Sequence, residues 1–251
     1  MTRIFLDDDR LRDDTVVIDG PDAHHMMRVL RMGVGDGFTV VGPGGLEYPA
    51  EIIELESDRL RARLGAPVVA AREPQVALTL YHGMPRMPRY ETALRMCTEL
   101  GVAAFVPVLS SRSVVRLSDR EAERKTERLR RIVQSAARQC GRTHVPEVAV
   151  PMSFSQALKH FAAADMPGAM PAAALAGEPG TSLGEWASQM AAGADRLAIF
   201  IGPESGFDLD EQAAAERAGI VRVTMGPRIL RTETAAAVAV TICLERLDML
   251  R

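Results

Sequence analysis

The residues with the clearest chemical potential lie in the stretch 226–237, GPRILRTETAAA, where a glycine turn leads into an alanine-rich helix. A helix that begins at Thr232 leaves its first backbone N–H groups unpaired, and Thr232 itself suits the cap. Glu233 suits the positive end of the helix dipole, and Arg228 and Arg231 add fixed positive charge beside it. This pattern is typical of a binding site for an anionic or polar ligand, and also of an ordinary strand-to-helix turn with surface arginines.

A second loop, 201–207 (IGPESGF), also has residue types that suit ligand binding. Its glycines let a ligand approach the backbone without a Cβ in the way, and they bracket Glu204, whose carboxylate can bind hydroxyl or amine groups. Asp208 and Glu211 form a capping pair for the next helix. A turn with a cap explains the end of this loop, but it does not explain the acidic residue at its tip.

Several common sites are not predicted. Neither a Rossmann glycine motif nor a P-loop occurs, and there is no serine nucleophile elbow. The cysteines Cys97, Cys140 and Cys243 are far apart, so neither a disulfide framework nor a zinc site is indicated. The adjacent His24 and His25 cannot share a helix face, so we expect no metal site.

Both loops belong to a region, 74–251, in which apolar strands and helices alternate. The predicted strands are 76–81, 104–109, 145–150, 172–176, 197–201 and 220–225. The predicted helices are 90–99, 121–140, 154–161, 183–191, 209–218 and 232–250. This alternation predicts a parallel sheet covered by helices, with ligands at the carboxyl ends of the strands.

The first 73 residues have a different pattern, in which short strands are separated by glycine-rich turns. The predicted strands are 3–6, 16–18, 38–41, 48–55 and 60–64, and they indicate a small β-barrel. One helix is predicted at 23–32, with Asp22 as its cap. Met26, Met27, Val29 and Leu30 would supply its apolar contacts. Arg28 and Arg31 would lie on its exposed side.

Charge is unevenly distributed along this chain of 251 residues, whose net charge is −3. Segment 112–142 holds ten basic and four acidic residues, a local charge of +6 that fits either a phosphate-contacting surface or a solvated helix face. No apolar run reaches about 18 residues, and no basic segment followed by an apolar one opens the chain, so we expect a cytoplasmic protein.

The motifs IGPESGFDLDE (201–211) and MGPRILRTETA (225–235) closely resemble the paired signatures of the RsmE family, the uracil-N3 methyltransferases of small-subunit ribosomal RNA. AHHMMRVLRMGVGDGF (23–38) is similar to that family's PUA-like RNA-binding domain. TELGVAAFVPVLSSRSVV (98–115) is similar to the start of its catalytic domain, and QCGRTHVPEV (139–148) to its arginine-bearing loop. The resemblance covers nearly the whole chain.

The resemblance implies an α/β fold of the SPOUT class, a parallel sheet with a C-terminal trefoil knot, preceded by a small PUA-like β-barrel. It implies an RNA-binding domain at 1–73 and a SPOUT methyltransferase domain at 74–251. S-adenosyl-L-methionine is the implied cofactor, and 16S ribosomal RNA or the assembled small subunit is the implied partner. The family also works as a homodimer, which suits the apolar helix predicted at 232–250, although a buried helix in a monomer would look the same.

The family's functional residues carry over to this chain position by position. The implied cofactor residues are Leu175, Ala176, Gly177, Glu178, Ile201, Gly202, Pro203, Glu204, Met225, Gly226, Ile229, Leu230, Thr232, Thr234 and Ala235. The implied RNA contacts are Arg28, Arg31, Arg86, Arg89, Arg112, Arg138, Arg142 and Arg228.

The implied reaction sets the roles of two further side chains. Uridine N3 carries a proton, so the site must help to remove it and must stabilise negative charge on the flanking carbonyl oxygens. Arg231 is the candidate for that stabilisation, and Glu204 for accepting or orienting the proton, while the identity of the base stays open. The methyl donor supplies the electrophile, so no metal is needed.

Two positions depart from the family pattern, and they keep other functions open. Ser205 replaces a glycine, and Met96 replaces a lysine, with Arg95 adjacent. One alternative is a SPOUT methyltransferase with another RNA target. The other is a catalytically inactive RNA-binding or ribosome-assembly protein.

Overall fold

The computed structural model describes residues 2–7, 10–11, 14–113, 117–163, 171–189 and 193–250. The chain divides into two compact units: Met1–Glu73 with Ala137–His144, and Pro74–Ala136 with Val145–Arg251. This division differs from the ranges predicted for the domains in one segment, Ala137–His144. That segment belongs to the first unit because its arginines pair with acidic residues there, as described below.

The first unit is built on a β-sheet of six strands. They are β1 Arg3–Phe5, β2 Thr15–Asp19, β3 Gly37–Val41, β4 Leu46–Leu55, β5 Arg59–Leu64 and β6 Val68–Val69. Their order is β1-β3-β4-β5-β2, with β6 on β4. Side chains alternate along the strands, so that Val16, Ile18, Phe38, Leu60 and Ala62 are buried together in one core.

The helix of this unit begins earlier than predicted. Helix α1, Gly20–His24, continues directly into a π-helical turn, His25–Val29. The cap is Asp19 and makes no side-chain hydrogen bond, so the prediction of Asp22 as the cap is wrong. Val29 and Leu30 are 61% and 44% exposed, so they do not supply the predicted apolar contacts.

The second unit is built on a parallel sheet of seven strands. They are β7 Ala77–Gly83, β8 Ala104–Leu109, β9 Glu147–Val148, β10 Met152–Ser153, β11 Pro171–Ser182, β12 Arg196–Ile201 and β13 Val221–Thr224. Their order is β10-β8-β7-β12-β11-β13, with β9 on β8. The predicted parallel α/β sheet is therefore confirmed, while the trefoil knot stays a prediction.

Helices cover both faces of this parallel sheet. They are α2 Met87–Leu100, α3 Asp119–Cys140, α4 Phe154–Ala163, α5 Leu183–Gln189, α6 Leu209–Arg217 and α7 Thr232–Arg246. Because side chains alternate along a strand, Leu80 and Ile199 enter one core while Tyr81 and Phe200 enter the other. Tyr81 and Phe200 stack there with their ring centroids 4.3 Å apart.

Helix α7 differs from its prediction at both ends. Its cap is Arg231, without a side-chain hydrogen bond, so the prediction of Thr232 as the cap is wrong. The helix ends at Arg246 rather than at residue 250, and Asp248 beyond it has a φ of 59°. No helix among the described residues has the length and apolar character needed to cross a membrane.

Candidate functional site

A cavity of about 460 Å³ lies where the two predicted loops meet, at the carboxyl ends of β12 and β13 and the start of α7. Eleven of the fifteen predicted cofactor residues line it: Ala176, Ile201, Gly202, Pro203, Glu204, Met225, Gly226, Ile229, Leu230, Thr232 and Ala235. Arg231, Arg228 and Arg89 also line this cavity. The structure therefore brings the candidate catalytic pair, Arg231 and Glu204, to the same cavity.

Four predicted cofactor residues are not part of its lining. Leu175 is buried in the core against Phe200, and Thr234 lies on the exposed side of α7. Gly177 and Glu178 lie between the two parts of β11 that pair with β13, and the structure does not describe the exposure of either residue. A ligand role for these four stays a prediction.

Loop 202–207 is shaped by close backbone contacts. A Cβ at Gly202 would lie 2.9 Å from the Cα of Gly206, and a Cβ at Gly83 would lie 2.4 Å from Pro203. Both glycines are therefore required for the loop to fold against the end of β7. Phe207 is buried in the core below. The loop is consequently held by the end of β7 at Pro203 and by the core at Phe207.

The predicted capping pair at the end of this loop is confirmed. The Asp208 carboxylate accepts a hydrogen bond from the backbone N–H of Glu211 at 2.7 Å, and Glu211 accepts one from the N–H of Asp208 at 3.0 Å. A hydrogen bond from the Ser111 hydroxyl is the main cause that holds the pKa of Asp208 below its ordinary value. The cap thus joins α6 to the loop that follows β8.

The turn after β13 carries the arginines of the cavity. Gly226 has a φ of 103°, a conformation that favours glycine, and it lets the chain reverse before α7. Ile229 and Arg228 are exposed, and Arg231 is exposed at the helix cap. Within the described part of the chain, neither Arg228 nor Arg231 has a salt-bridge partner. Both charges are therefore available to a ligand at the cavity.

The carboxylate of Glu204 has a cationic neighbour at the same cavity. Arg89 Nη1 donates to Glu204 Oε1 at 3.3 Å, and the two side chains are 45% and 31% exposed. Glu204 Oε2 has no hydrogen-bond partner among the described residues. Arg89 thus binds one oxygen of Glu204, and the other makes no hydrogen bond within the described part of the chain.

Ser205, one of the two departures from the family pattern, makes specific contacts. Its hydroxyl donates to the Arg112 carbonyl at 3.1 Å, and Arg112 Nη1 donates to the Ser205 carbonyl at 3.2 Å. These reciprocal bonds attach the loop after β8 to the tip of the cavity loop. The serine therefore adds a contact that a glycine could not make.

The predicted RNA contacts fall into two groups. Arg28, Arg31, Arg86, Arg89, Arg112 and Arg228 are exposed. Arg138 instead donates from both terminal nitrogens to Asp22, at 2.7 and 3.0 Å. Arg142 is 5% exposed and pairs with Glu73, with its Nε 2.9 Å from Glu73 Oε2. Both of these guanidinium groups are bound to carboxylates inside the first unit, so the structure does not support the predicted phosphate contacts.

Glu73 also accepts backbone N–H groups from the segment that carries Arg142. Thr143 N and His144 N donate to Glu73 Oε1 at 2.8 and 3.0 Å. Burial raises the pKa of Glu73, but Arg142 and these two N–H groups together lower it below its ordinary value. Glu73 therefore stays ionised and holds 137–144 to the first unit.

One polar residue beside the cavity was missed from the sequence. His82 is fully buried in β7, and its Nε2 lies 2.7 Å from Thr232 Oγ1. Burial lowers the pKa of His82 to about 3, so the ring is neutral. The signal that could have identified it is a histidine inside the apolar run LTLYHG, where an unpaired polar group would be costly.

Comparison with known proteins decides the family. The RNA methyltransferase domain model matches residues 72–244, and the RNA methyltransferase PUA domain model matches 18–65. The chain is 31% identical to the ribosomal RNA small subunit methyltransferase E of Bacillus subtilis, over 94% of this chain and 92% of that protein. It belongs to the ribosomal RNA small subunit methyltransferase E family. The family resemblance noted in the motifs is thereby confirmed.

Other methyltransferase E proteins agree in sequence and in structure. The Mycobacterium tuberculosis protein is 34% identical over 89% of this chain and 83% of its own. The Neisseria gonorrhoeae methyltransferase E, crystallised bound to S-adenosyl methionine, has a TM-score of 0.84 and 28% identity over 98% of this chain and 97% of its own. The parallel α/β methyltransferase fold with an N-terminal PUA-like domain is thus confirmed for this chain.

Proposed function

We propose that this protein transfers the methyl group of S-adenosyl-L-methionine to N3 of a uridine in small-subunit ribosomal RNA. The observation that carries the proposal is the cavity at 201–206 and 224–235, with Glu204 and the unpaired Arg231 both lining it. Family membership supports the reaction class, since the relatives are named small-subunit ribosomal RNA methyltransferases and the Neisseria protein holds the cofactor.

The cavity suits the proposed methyl donor in size and lining. Its volume of about 460 Å³ is within the ordinary range for small-molecule sites. Backbone groups near Gly202, Met225 and Leu230 would hold the adenine and ribose, and the side chains of Ile201 and Leu230 would supply apolar walls. When bound, the cofactor supplies an electrophilic methyl group.

The side chains of this protein would then act on the uracil ring. Loss of the N3 proton leaves negative charge on the two carbonyl oxygens that flank N3, and the Arg231 guanidinium would stabilise it. Glu204 Oε2 would accept or orient the proton, while Arg89 holds Oε1 in place. One N–C bond forms and one C–S bond breaks, and the released proton leaves through the base.

The exposed arginines would bind the phosphates of the RNA. Arg86, Arg89, Arg112 and Arg228 are exposed in the second unit, and Arg28 and Arg31 are exposed in the first. The proposal includes a homodimer, which the family resemblance supports, and a cytoplasmic location. Sedimentation velocity tests the homodimer, and a single species with the mass of one chain would reject it.

The proposed reaction is tested with labelled S-adenosyl-L-methionine and small-subunit RNA that lacks the modification. Naked RNA and assembled small subunits are incubated separately with the protein, and the labelled nucleoside is then identified. We expect 3-methyluridine from at least one of them, and Arg231→Ala serves as the low-activity control. Another methylated nucleoside would overturn the target. Failure to bind the cofactor in calorimetry would instead favour the ribosome-assembly alternative.

A further inference from the structure

A buried histidine is connected to the wall of the cavity by a single hydroxyl group. His82 lies in β7 and pairs with Ile201 of β12. Thr232 Oγ1 is 2.7 Å from His82 Nε2 and 2.7 Å from the Gly202 carbonyl oxygen. This hydroxyl thus joins β7, the loop after β12 and the first residue of α7. Thr232 and Gly202 line the cavity, whereas His82 does not.

The direction of these hydrogen bonds follows from the groups involved. A carbonyl oxygen can only accept, so the Thr232 hydroxyl donates its one proton to Gly202. The same oxygen must then accept from His82, which requires a proton on Nε2. His82 is neutral because its burial lowers the pKa to about 3, so Nδ1 carries no proton. His82 Nδ1 is buried without a hydrogen-bond partner among the described residues.

The hydrogen bonds from His82 and Thr232 end on a closely packed part of the cavity wall. Gly202 lies against Gly206, and Pro203 lies against Gly83, at separations that exclude any Cβ on Gly202 or Gly83. The Thr232 hydroxyl adds an anchor to the carbonyl of Gly202. The Thr232 hydroxyl therefore helps to fix the orientation of the peptide between Gly202 and Pro203, two residues that line the cavity.

We propose that His82 is a positioning residue for the methyl-donor site: it holds the Thr232 hydroxyl, which holds the Gly202 carbonyl and the wall at 202–206. The inference rests on the proposed function, because the ligand of this wall is S-adenosyl-L-methionine. His82 does not touch the cavity, so it takes no part in proton transfer. A replacement that keeps the hydrogen-bond donor should preserve the site.

Four variants separate this role from a general structural one. His82→Leu and Thr232→Val remove the bond, while His82→Gln and Thr232→Ser keep a donor or a hydroxyl at nearly the same place. We expect the Kd for S-adenosyl-L-methionine to rise about tenfold in His82→Leu and to stay within about threefold in His82→Gln. In the two His82 variants the KM for the cofactor should follow the Kd, while kcat at saturation stays within about threefold of the wild type.

A second measurement does not depend on any ligand. Hydrogen exchange of the backbone amides at 204–207 in the free protein should be about tenfold faster in His82→Leu and unchanged in His82→Gln. If His82→Leu does not fold, Thr232→Val provides the same comparison against Thr232→Ser. The positioning role would be overturned if His82→Leu had the cofactor affinity and the amide exchange rates of the wild type. It would also be overturned if His82→Leu and His82→Gln lost cofactor affinity and exchange protection equally. A wild-type protein that does not bind the cofactor would reject the proposed function, and the exchange comparison would still decide the role of His82.

Discussion

The guanidinium of Arg89 donates to the carboxylate of Glu204 at 3.3 Å, and both side chains line the cavity. Arg89 comes from the first turn of α2, after β7, and Glu204 comes from the loop after β12. The ion pair is partly exposed, so it adds little to stability. The ion pair instead fixes the orientation of the Glu204 carboxylate, because Arg89 binds its Oε1 and leaves its Oε2 without a partner among the described residues.

The first prediction concerns the carboxylate of this pair. Glu204→Gln keeps the size of the side chain but removes its ability to accept a proton. If Glu204 accepts the N3 proton, we expect kcat to fall by about a hundredfold or more at neutral pH, with the cofactor Kd unchanged. Single-turnover kinetics on the RNA substrate measure this step. A loss below about tenfold would assign Glu204 to orientation alone.

The second prediction separates the two unpaired arginines of the cavity. Arg231→Ala should lower kcat by about a hundredfold to a thousandfold, because charge on the uracil oxygens loses its stabilising partner. Arg228→Ala should raise the KM for RNA and leave kcat nearly unchanged, because a phosphate contact acts equally before and during the reaction. Cofactor affinity, measured by calorimetry, is the control. Equal loss of turnover and cofactor affinity in Arg231→Ala would make it a cofactor residue instead.

The third prediction follows from the Arg142–Glu73 ion pair. Arg142→Met should lower the free energy of unfolding by about 2 kcal/mol, because it leaves the partly buried carboxylate of Glu73 without its guanidinium. Arg131→Met is the matched control, since Arg131 is 76% exposed and its change should stay within about 0.5 kcal/mol. Urea unfolding followed by circular dichroism measures both.

The same variant also tests the revised role of Arg142. If Arg142 is a structural residue, the dependence of RNA affinity on salt should not change in Arg142→Met. Arg86→Ala should reduce that slope by about one, as expected for the loss of one phosphate contact. A reduced slope in Arg142→Met would restore the original prediction of RNA contact.

The fourth prediction is a dependence of stability on pH that arises from His82. Its pKa in the fold, about 3, lies below the ordinary value of 6.5, so the unfolded chain binds a proton that the folded chain does not. The fold is therefore destabilised as pH falls through 6.5 toward 3. Between pH 7.5 and pH 5 this one group should remove about 2 kcal/mol.

His82→Gln supplies the comparison for that pH effect, because glutamine does not titrate and keeps a hydrogen-bond donor. The variant should lose about 2 kcal/mol less than the wild type over the same pH interval. Urea unfolding at the two pH values gives the difference, and all other titrating groups cancel in it. Identical pH dependence would mean that folding does not lower the pKa of His82.

Local signals were sufficient for much of the fold. The sequence predicts helix α6 at 209–218, and the structure has it at Leu209–Arg217, because the capping residues Asp208 and Glu211 lie at the start of the helix itself. Loop positions at the ends of β12 and β13 also followed from the alternation of strands and helices. These features depend on residues that are close together in the sequence, so they can be predicted from the sequence alone.

Features that depend on distant partners were not predictable in this way. Thr232 was interpreted as a helix cap, yet its hydroxyl donates to Gly202, 30 residues away. Arg138 was interpreted as a phosphate contact, yet it binds Asp22, 116 residues away. The sequence around a threonine is the same whether its hydroxyl caps a helix or binds a distant carbonyl. The sequence around an arginine is likewise the same whether it binds a phosphate or a carboxylate. Only tertiary structure determines which partner it finds.

The position of β11 between β12 and β13 has a consequence for the synthesis of the protein. Both neighbours of this strand lie later in the chain, so a nascent β11 has no native partner until 196–201 emerges, and no second one until 221–224. Ribosome-bound fragments that end before β13 should therefore expose an apolar strand edge to chaperones. The second unit can complete its fold only when nearly every residue has been translated.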